Sequence, residues 1–87
     1  MTTKAPSAVK SADDASLEQT AYASVKDIPV AEPHDRDRLG YNVWRFLTMR
    51  KDSLELAVRS AGARMTISEE EAVEKIRAAL GKRGVSA

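Results

Sequence analysis

The stretch TISEEEAVEKIRAALGKRG, residues 66–84, carries signals for the start, the buried face and the end of one α-helix. Ser68 is placed to cap the N-terminus, and Glu71 follows three residues later, which is the spacing of a capping box. Gly81 is predicted to end the helix, since glycine is the preferred residue at the position just after the last helical turn. The helix is therefore predicted near 69–80, with an apolar stripe at Val73, Ile76, Ala79 and Leu80.

The charges of this segment have a structural explanation. Glu69 and Glu70 stand in the first turn, where carboxylates complement the positive end of the helix dipole. Lys82 and Arg83 stand at the last turn, where cations complement the negative end. The acidic cluster is therefore interpreted as part of the helix and not as a site of chemistry.

A shorter helix is predicted upstream, near 53–61. Asp52 and Glu55 have the capping-box spacing and would start it at Ser53, and Gly62 would close it in the left-handed conformation. A single helix continuing from the preceding segment is the alternative, but two helices are favoured because Asp-Ser is a poor helix interior and a good cap. Its predicted buried stripe is Leu54, Ala57, Val58 and Ala61.

The first large apolar residues in helical spacing occur before that, and they predict a helix near 37–50. Asp35 or Asp37 can serve as its N-cap. Gly40 weakens its first turn by up to about 1 kcal/mol relative to alanine. Its apolar face consists of Leu39, Val43, Phe46 and Leu47, broadened by Tyr41 and Trp44.

The N-terminal third is expected to be a flexible arm. Residues 1–15 are small and polar and are predicted to be disordered, because they offer too little apolar surface to offset backbone entropy. Residues 16–30 could form a short helix ended by Pro29, and a proline-containing charged linker follows. One face of that helix would carry Leu17, Ala21 and Val25. The expected organisation is thus an arm over 1–34, a helical domain over 35–84 and a disordered tail over 85–87.

Composition bounds the fold. The chain has 87 residues, no cysteine and a net charge of +1. The predicted fold class is all-α, a small three-helix domain preceded by a disordered or partly helical arm. Because so short a chain has a thin core and no disulfide, docking on a partner or dimerisation is expected to add stability.

The charge is unevenly distributed along the chain. Residues 1–35 carry six acids against three bases, a balance of −3, and residues 36–65 carry seven bases against three acids, a balance of +4. Such asymmetry is typical of a solvated surface. It can also indicate that the acidic segment covers the basic one, or that the basic segment binds an anionic partner.

Catalysis by this chain is not expected. His34 is its single histidine and lies in the predicted linker, and no nucleophile stands beside a base. The four glycines do not form a phosphate-binding loop, and the glutamates lack the pattern of a calcium loop. We therefore predict no enzyme, no catalytic residue, no metal, no cofactor and no small-molecule ligand. No apolar run is long enough to span a bilayer, and a cytoplasmic bacterial or phage protein is the expectation.

A protein-interaction module is the leading functional hypothesis. Tyr41, Trp44, Arg45 and Met49 are the candidate partner-binding residues, because aromatic residues and arginine at the edge of a core often dominate interfaces. Trp44 could instead be the centre of the core, and this alternative stays open. A small structural subunit of an enzyme complex, or a homodimer, would use the same residues.

A DNA-binding regulator is the alternative hypothesis. The last two predicted helices have the outline of a helix-turn-helix, but the second would meet the DNA with three glutamates in its first turn, which phosphates repel. Nucleic acid would therefore contact the basic residues on or between the preceding helices. Those candidates are Arg45, Arg50, Lys51, Arg59 and Arg64.

The sequence also resembles an uncharacterised family of small proteobacterial proteins. The likeness covers roughly residues 35–80 and consists of Asp35-Arg36-x-Arg38-Leu39, then Tyr41/Val43/Phe46, Leu54/Ala57/Val58/Gly62 and Ala72/Val73/Leu80. The spacing departs from the family pattern, being shorter between Phe46 and Leu54 and longer between Gly62 and Ala72. The family has no assigned activity, so the resemblance implies a small helical fold and no more.

Overall fold

The computed structural model of the protein describes residues 12–50 and 53–85, and these residues form an all-helical fold. Four helices follow one another along the chain: α1 (Ala12–Val25), α2 (Pro33–Met49), α3 (Leu54–Ser60) and α4 (Glu69–Lys82). The prediction of an all-α fold is confirmed. The prediction of three helices is wrong, because α1 is a full member of the domain.

Helix α1 belongs to the core and not to a loose arm. Ala21 and Val25 are completely buried, and Ile28, just beyond the helix, is 1% exposed. The predicted face of Leu17, Ala21 and Val25 does point inward, but the helix starts at Ala12, inside the segment expected to be disordered. Residues of α1 and Ile28 thus share one core with the segment predicted to form the helical domain, and residues 1–11 lie outside the described part of the chain.

Helices α1 and α2 approach each other closely at Gly40. A Cβ atom at Gly40 would overlap the ring of Tyr22, which lies over the backbone of α2 at this point. Gly40, which sequence reasoning treated as a weakness of the helix, is therefore a packing requirement.

The segment expected to be a free linker is held by backbone pairing. The N–H of Ala31 donates to the carbonyl of Arg64 (2.8 Å), and the N–H of Thr66 donates to the carbonyl of Pro29 (3.1 Å). Between these two bonds, Val30 and Met65 form an antiparallel bridge. This pairing joins the α1–α2 connection to the α3–α4 connection, so the proline-containing segment is not a flexible spacer.

Helix α2 begins earlier than predicted. Its N-cap is Glu32, not Asp35 or Asp37, and Pro33 occupies the first turn, where its missing N–H is not needed. Asp35 is fully buried and its Oδ2 accepts the backbone N–H of Glu32 at 3.1 Å. The combination of proline with an acid two residues later is the start signal that the prediction overlooked.

The chain leaves the helix after Met49, so α2 and α3 are separate helices. Arg50 adopts the left-handed conformation (φ 50°), and its N–H donates to the carbonyl of Phe46 at 2.7 Å. Ser53 caps α3 by accepting the N–H of Leu56 at 3.2 Å. Gly62 has the positive φ predicted for it (64°). The prediction took Asp52 as the N-cap, with Glu55 as its capping-box partner, whereas the observed N-cap is Ser53 and the helix starts one residue later than expected. Asp52 lies outside the described residues.

Helix α4 starts as predicted and ends later. The hydroxyl of Ser68 accepts the N–H of Glu71 at 3.1 Å. The helix runs through Gly81 and ends at Lys82, and Gly84 follows in the left-handed conformation (φ 76°). The N–H of Gly84 donates to the carbonyl of Gly81 and that of Val85 to the carbonyl of Leu80, each at 3.0 Å. This is a Schellman motif. Val85 packs against the core and so does not belong to a loose tail.

The core is aliphatic and draws on all four helices. Of the described aromatic side chains none is fully buried; Trp44 and Phe46 lie at the border of the core. The inward faces predicted for α2, α3 and α4 are confirmed in outline, with Phe46, Ala57 and Ala79 half-buried and Ala72 added. The buried hydrophobic residues are Ala21, Val25, Ile28, Leu39, Val43, Leu47, Leu54, Val58, Ala61, Ala72, Val73, Ile76 and Leu80.

Candidate functional site

The four predicted partner-binding residues form one continuous surface on α2, here named the α2 patch. The rings of Tyr41 and Trp44 lie 5.6 Å apart between centroids and are tilted by 40°. The guanidinium of Arg45 lies 5.9 Å from the centroid of the Tyr41 ring, within the range of a cation–π interaction. Its Nη2 is also 3.9 Å from Sδ of Met49. Residues 41, 44, 45 and 49 recur at helical spacing, which is why they meet on one face.

The members of the α2 patch differ in exposure. Tyr41 and Met49 are each 49% exposed, which is high for large apolar side chains in a folded domain. Trp44 is half-buried and packs against the core, so it lies at the edge of the core and not at its centre. Of the two interpretations left open for Trp44, the edge position is the one observed.

A groove between the outer faces of α2 and α3 borders the α2 patch. Its volume is about 260 Å³, and the charged residue among its described lining residues is Arg45. Across the groove, the hydroxyl of Ser60 lies 3.4 Å from Oδ1 of Asn42, and within α3 it lies 3.2 Å from the carbonyl of Ala57. The lining residues are Asn42, Arg45, Phe46, Met49, Ser53, Leu56, Ala57 and Ser60.

Leu56 is the residue of this site that sequence reasoning missed. It is 41% exposed and contributes to the α3 wall of the groove. Its sequence signal was its position outside the buried stripe of α3, since a leucine on the solvent side of an amphipathic helix requires an explanation.

The candidate nucleic-acid residues that the structure describes do not form one basic surface. Arg59 Nε lies 3.6 Å from a carboxylate oxygen of Glu69, and Arg64 Nη2 lies 3.6 Å from one of Glu32. Arg50 donates from Nε to the carbonyl of Leu47 at 3.2 Å. Lys51 lies outside the described residues. Arg45 belongs to the α2 patch, so the described candidates are divided between different contacts.

The described residues contain no group of three or more histidine, cysteine, aspartate or glutamate side chains that could hold a metal ion. His34 is exposed, and its Nε2 lies 3.6 Å from Oδ1 of Asp35. None of the four helices has the length and apolar character needed to cross a membrane.

Comparison of the chain with models of protein families, with curated proteins and with solved structures finds no match.

Proposed function

We propose that the protein is a non-enzymatic interaction module that binds a segment of a partner protein on the α2 patch and its groove. One observation carries the proposal. Among the described residues, the exposed large hydrophobic side chains are Tyr41, Met49 and Leu56, and all three lie on or beside this groove. Scattered apolar side chains are ordinary on a surface, whereas a cluster around a groove is typical of an interaction site.

The shape and charge of the groove favour one kind of partner segment. A groove between two helices suits an amphipathic helix that inserts apolar side chains at i, i+3 or i+4 and i+7. Of the described residues that line the groove, the charged one is the exposed Arg45, which contacts Tyr41 and Met49. We therefore assign the occupant as an amphipathic helix with a carboxylate next to its apolar face, placed to pair with Arg45.

The groove supports a modest affinity. Its volume of about 260 Å³ accommodates one or two side chains, and association has to offset lost translational and rotational freedom. We expect a dissociation constant in the micromolar range, which corresponds to about −8 kcal/mol or weaker.

The DNA-binding alternative receives less support from the described arginines. Arg59 and Arg64 already face carboxylates, and a surface that binds phosphates needs cations that are not neutralised. We expect no complex with duplex DNA in a gel shift at low salt.

The proposal is tested by selecting ligands for the full chain from a library of random helical peptides. Enriched peptides should share apolar residues at helical spacing and a nearby acid. Met49→Glu should abolish their binding, because a carboxylate in the apolar lining repels the ligand and resists desolvation. Arg45→Glu should also abolish it, and a matching acid→Lys change in the peptide should restore it.

Lys75→Glu, on another face of the molecule, is the matched charge control and should leave peptide binding unchanged. Concentration-dependent self-association that Met49→Glu prevents would instead identify a second copy of the chain as the occupant. If the selected peptides bind the Met49→Glu and Arg45→Glu variants as tightly as the unsubstituted chain, the α2 patch is not the interaction site.

A further inference from the structure

A second, larger cleft lies on another side of the molecule, between the end of α1 and the C-terminal half of α4, and is here named the α1–α4 cleft. Its volume is about 470 Å³, within the range of roughly 300–1,000 Å³ common for ligand sites. Neither functional hypothesis from the sequence included its residues. They are Ala23, Ser24, Lys26, Asp27, Ile28, Lys75, Ala78, Ala79, Lys82 and Arg83.

The cleft has a small-residue wall and a basic lining. Lys75, Ala78, Ala79 and Lys82 recur at i, i+3, i+4 and i+7, so they share one face of α4. Two lysines seven residues apart stand about 10 Å apart along the helix axis. The alanines between them leave room for a ligand to approach the helix, while the lysines provide charge on both sides.

The charge of the lining is strongly positive. Among the described lining residues, four cations and the carboxylate of Asp27 give a net charge of +3. The C-terminal carbonyl groups of α1 and α4 each act as about −0.5 of an elementary charge. These two helix ends offset the smaller part of the positive charge, and the larger part stays available to a ligand. Lys26, Lys75 and Lys82 form no ion pair with another described residue. Arg83 is held at the end of α4 by donating from Nη1 to the carbonyl of Ala79 at 3.1 Å.

We propose that the α1–α4 cleft binds a small ligand carrying several linked phosphate groups. Lysine ammonium groups bind phosphate oxygens as point charges, and their spacing along α4 favours an extended anion over a single charge. No aromatic side chain lines the cleft, so it offers no platform on which a nucleobase could stack. The ligand is therefore held through its phosphates, without selection of a base.

The test is a titration of the full chain with sodium tripolyphosphate at low ionic strength, followed by amide chemical shifts. Shifts should be confined to the end of α1 and the C-terminal half of α4. ATP should produce the same pattern with a similar dissociation constant, because the cleft is proposed to contact the phosphate groups and not the nucleobase. Added salt should weaken the binding of tripolyphosphate and of ATP, since the cations of the cleft are solvent-exposed and therefore screened.

Three charge variants separate a specific site from general attraction. Lys82→Gln should raise the dissociation constant about tenfold by removing one phosphate contact. Arg77→Gln changes the net charge equally on the same helix, but Arg77 lies outside the lining and faces Glu74, so it should have little effect. Asp27→Asn should lower the dissociation constant, because it removes the repelling carboxylate.

Three results would overturn the proposal. The first is the absence of localised shifts at millimolar tripolyphosphate. The second is an Arg77→Gln effect as large as that of Lys82→Gln, which would mean non-specific attraction. The third is an oligonucleotide that binds more tightly as it lengthens and that tripolyphosphate does not displace, which would make the cleft a nucleic-acid surface.

Discussion

At the scale of single residues, the same residue type has opposite roles at different places in this chain. Gly81 lies within α4, and a side chain there would meet nothing within 4 Å. Gly40 lies within α2, and a side chain there would meet the ring of Tyr22. Helix propensity favours alanine over glycine at both positions, and only the neighbouring helix distinguishes them.

Gly40→Ala is expected to destabilise the protein by about 1–3 kcal/mol, because α1 must move away or Tyr22 must leave its position. The matched variant Gly81→Ala should stabilise the protein by up to about 1 kcal/mol, since it gains propensity without a clash. Urea denaturation followed by circular dichroism measures both. If Tyr22→Ala does not relieve the cost of Gly40→Ala, the clash is not its cause.

At the scale of elements, α1 depends on packing more than on its own pattern. Several residues of its inward side are small, such as Ala21 and Ser24, so its apolar stripe is weak in the sequence. Small side chains let two helices approach closely, and the ring of Tyr22 on the backbone of Gly40 is the result. In proteins, most helical stability comes from such tertiary packing.

Amide hydrogen exchange tests the position of α1 in the fold. The amides of Ser24 and Val25 should exchange about as slowly as that of Ile76, because all three belong to helices sharing one core. The matched comparison is Val25→Ala, which should speed exchange in α1 and α4 together. Exchange of the Val25 amide at the unfolded-chain rate, with Ile76 still protected, would show that α1 is not part of the cooperative unit.

At the scale of the whole molecule, two of the three connections between the described helices pair with each other. Residues 29–31 pair with residues 64–66, so the connection before α2 holds the connection before α4. The core cluster then includes Ile28 as well as residues of all four helices. Because a chain this short has a small free energy of unfolding, the fold is expected to need the contribution of each helix.

Deletion of residues 1–28 is therefore expected to abolish cooperative thermal unfolding. The deletion removes Val25 and Ile28, each worth about 2 kcal/mol of buried surface, and exposes the face of α2 on which α1 packs. Circular dichroism should show loss of most helical signal, and a separate peptide of residues 1–28 should restore part of it. A truncated chain that keeps a sharp melting transition would contradict this account.

The candidate sites were predictable to different degrees. Tyr41, Trp44, Arg45 and Met49 could be grouped from helical spacing, because one helix carries all four and residues 3–4 apart share a face. Leu56 and the groove could not be assigned, since they require knowing how α3 lies against α2. The α1–α4 cleft was beyond prediction for the same reason: Lys26 and Lys82 are far apart in the chain and come together only through packing.

The local features follow from the sequence alone: the all-helical character of the described residues, the cap at Ser68, the left-handed Gly62 and the aliphatic faces of α2, α3 and α4. These depend on contacts within about four residues, which neighbouring side chains specify directly. Three features depend on tertiary packing instead: α1 completes the core, residues 29–31 pair with residues 64–66, and the ring of Tyr22 packs on Gly40. The reason is physical: small side chains give little signal in isolation, and they stabilise a helix only when another helix is close enough to use the space they leave.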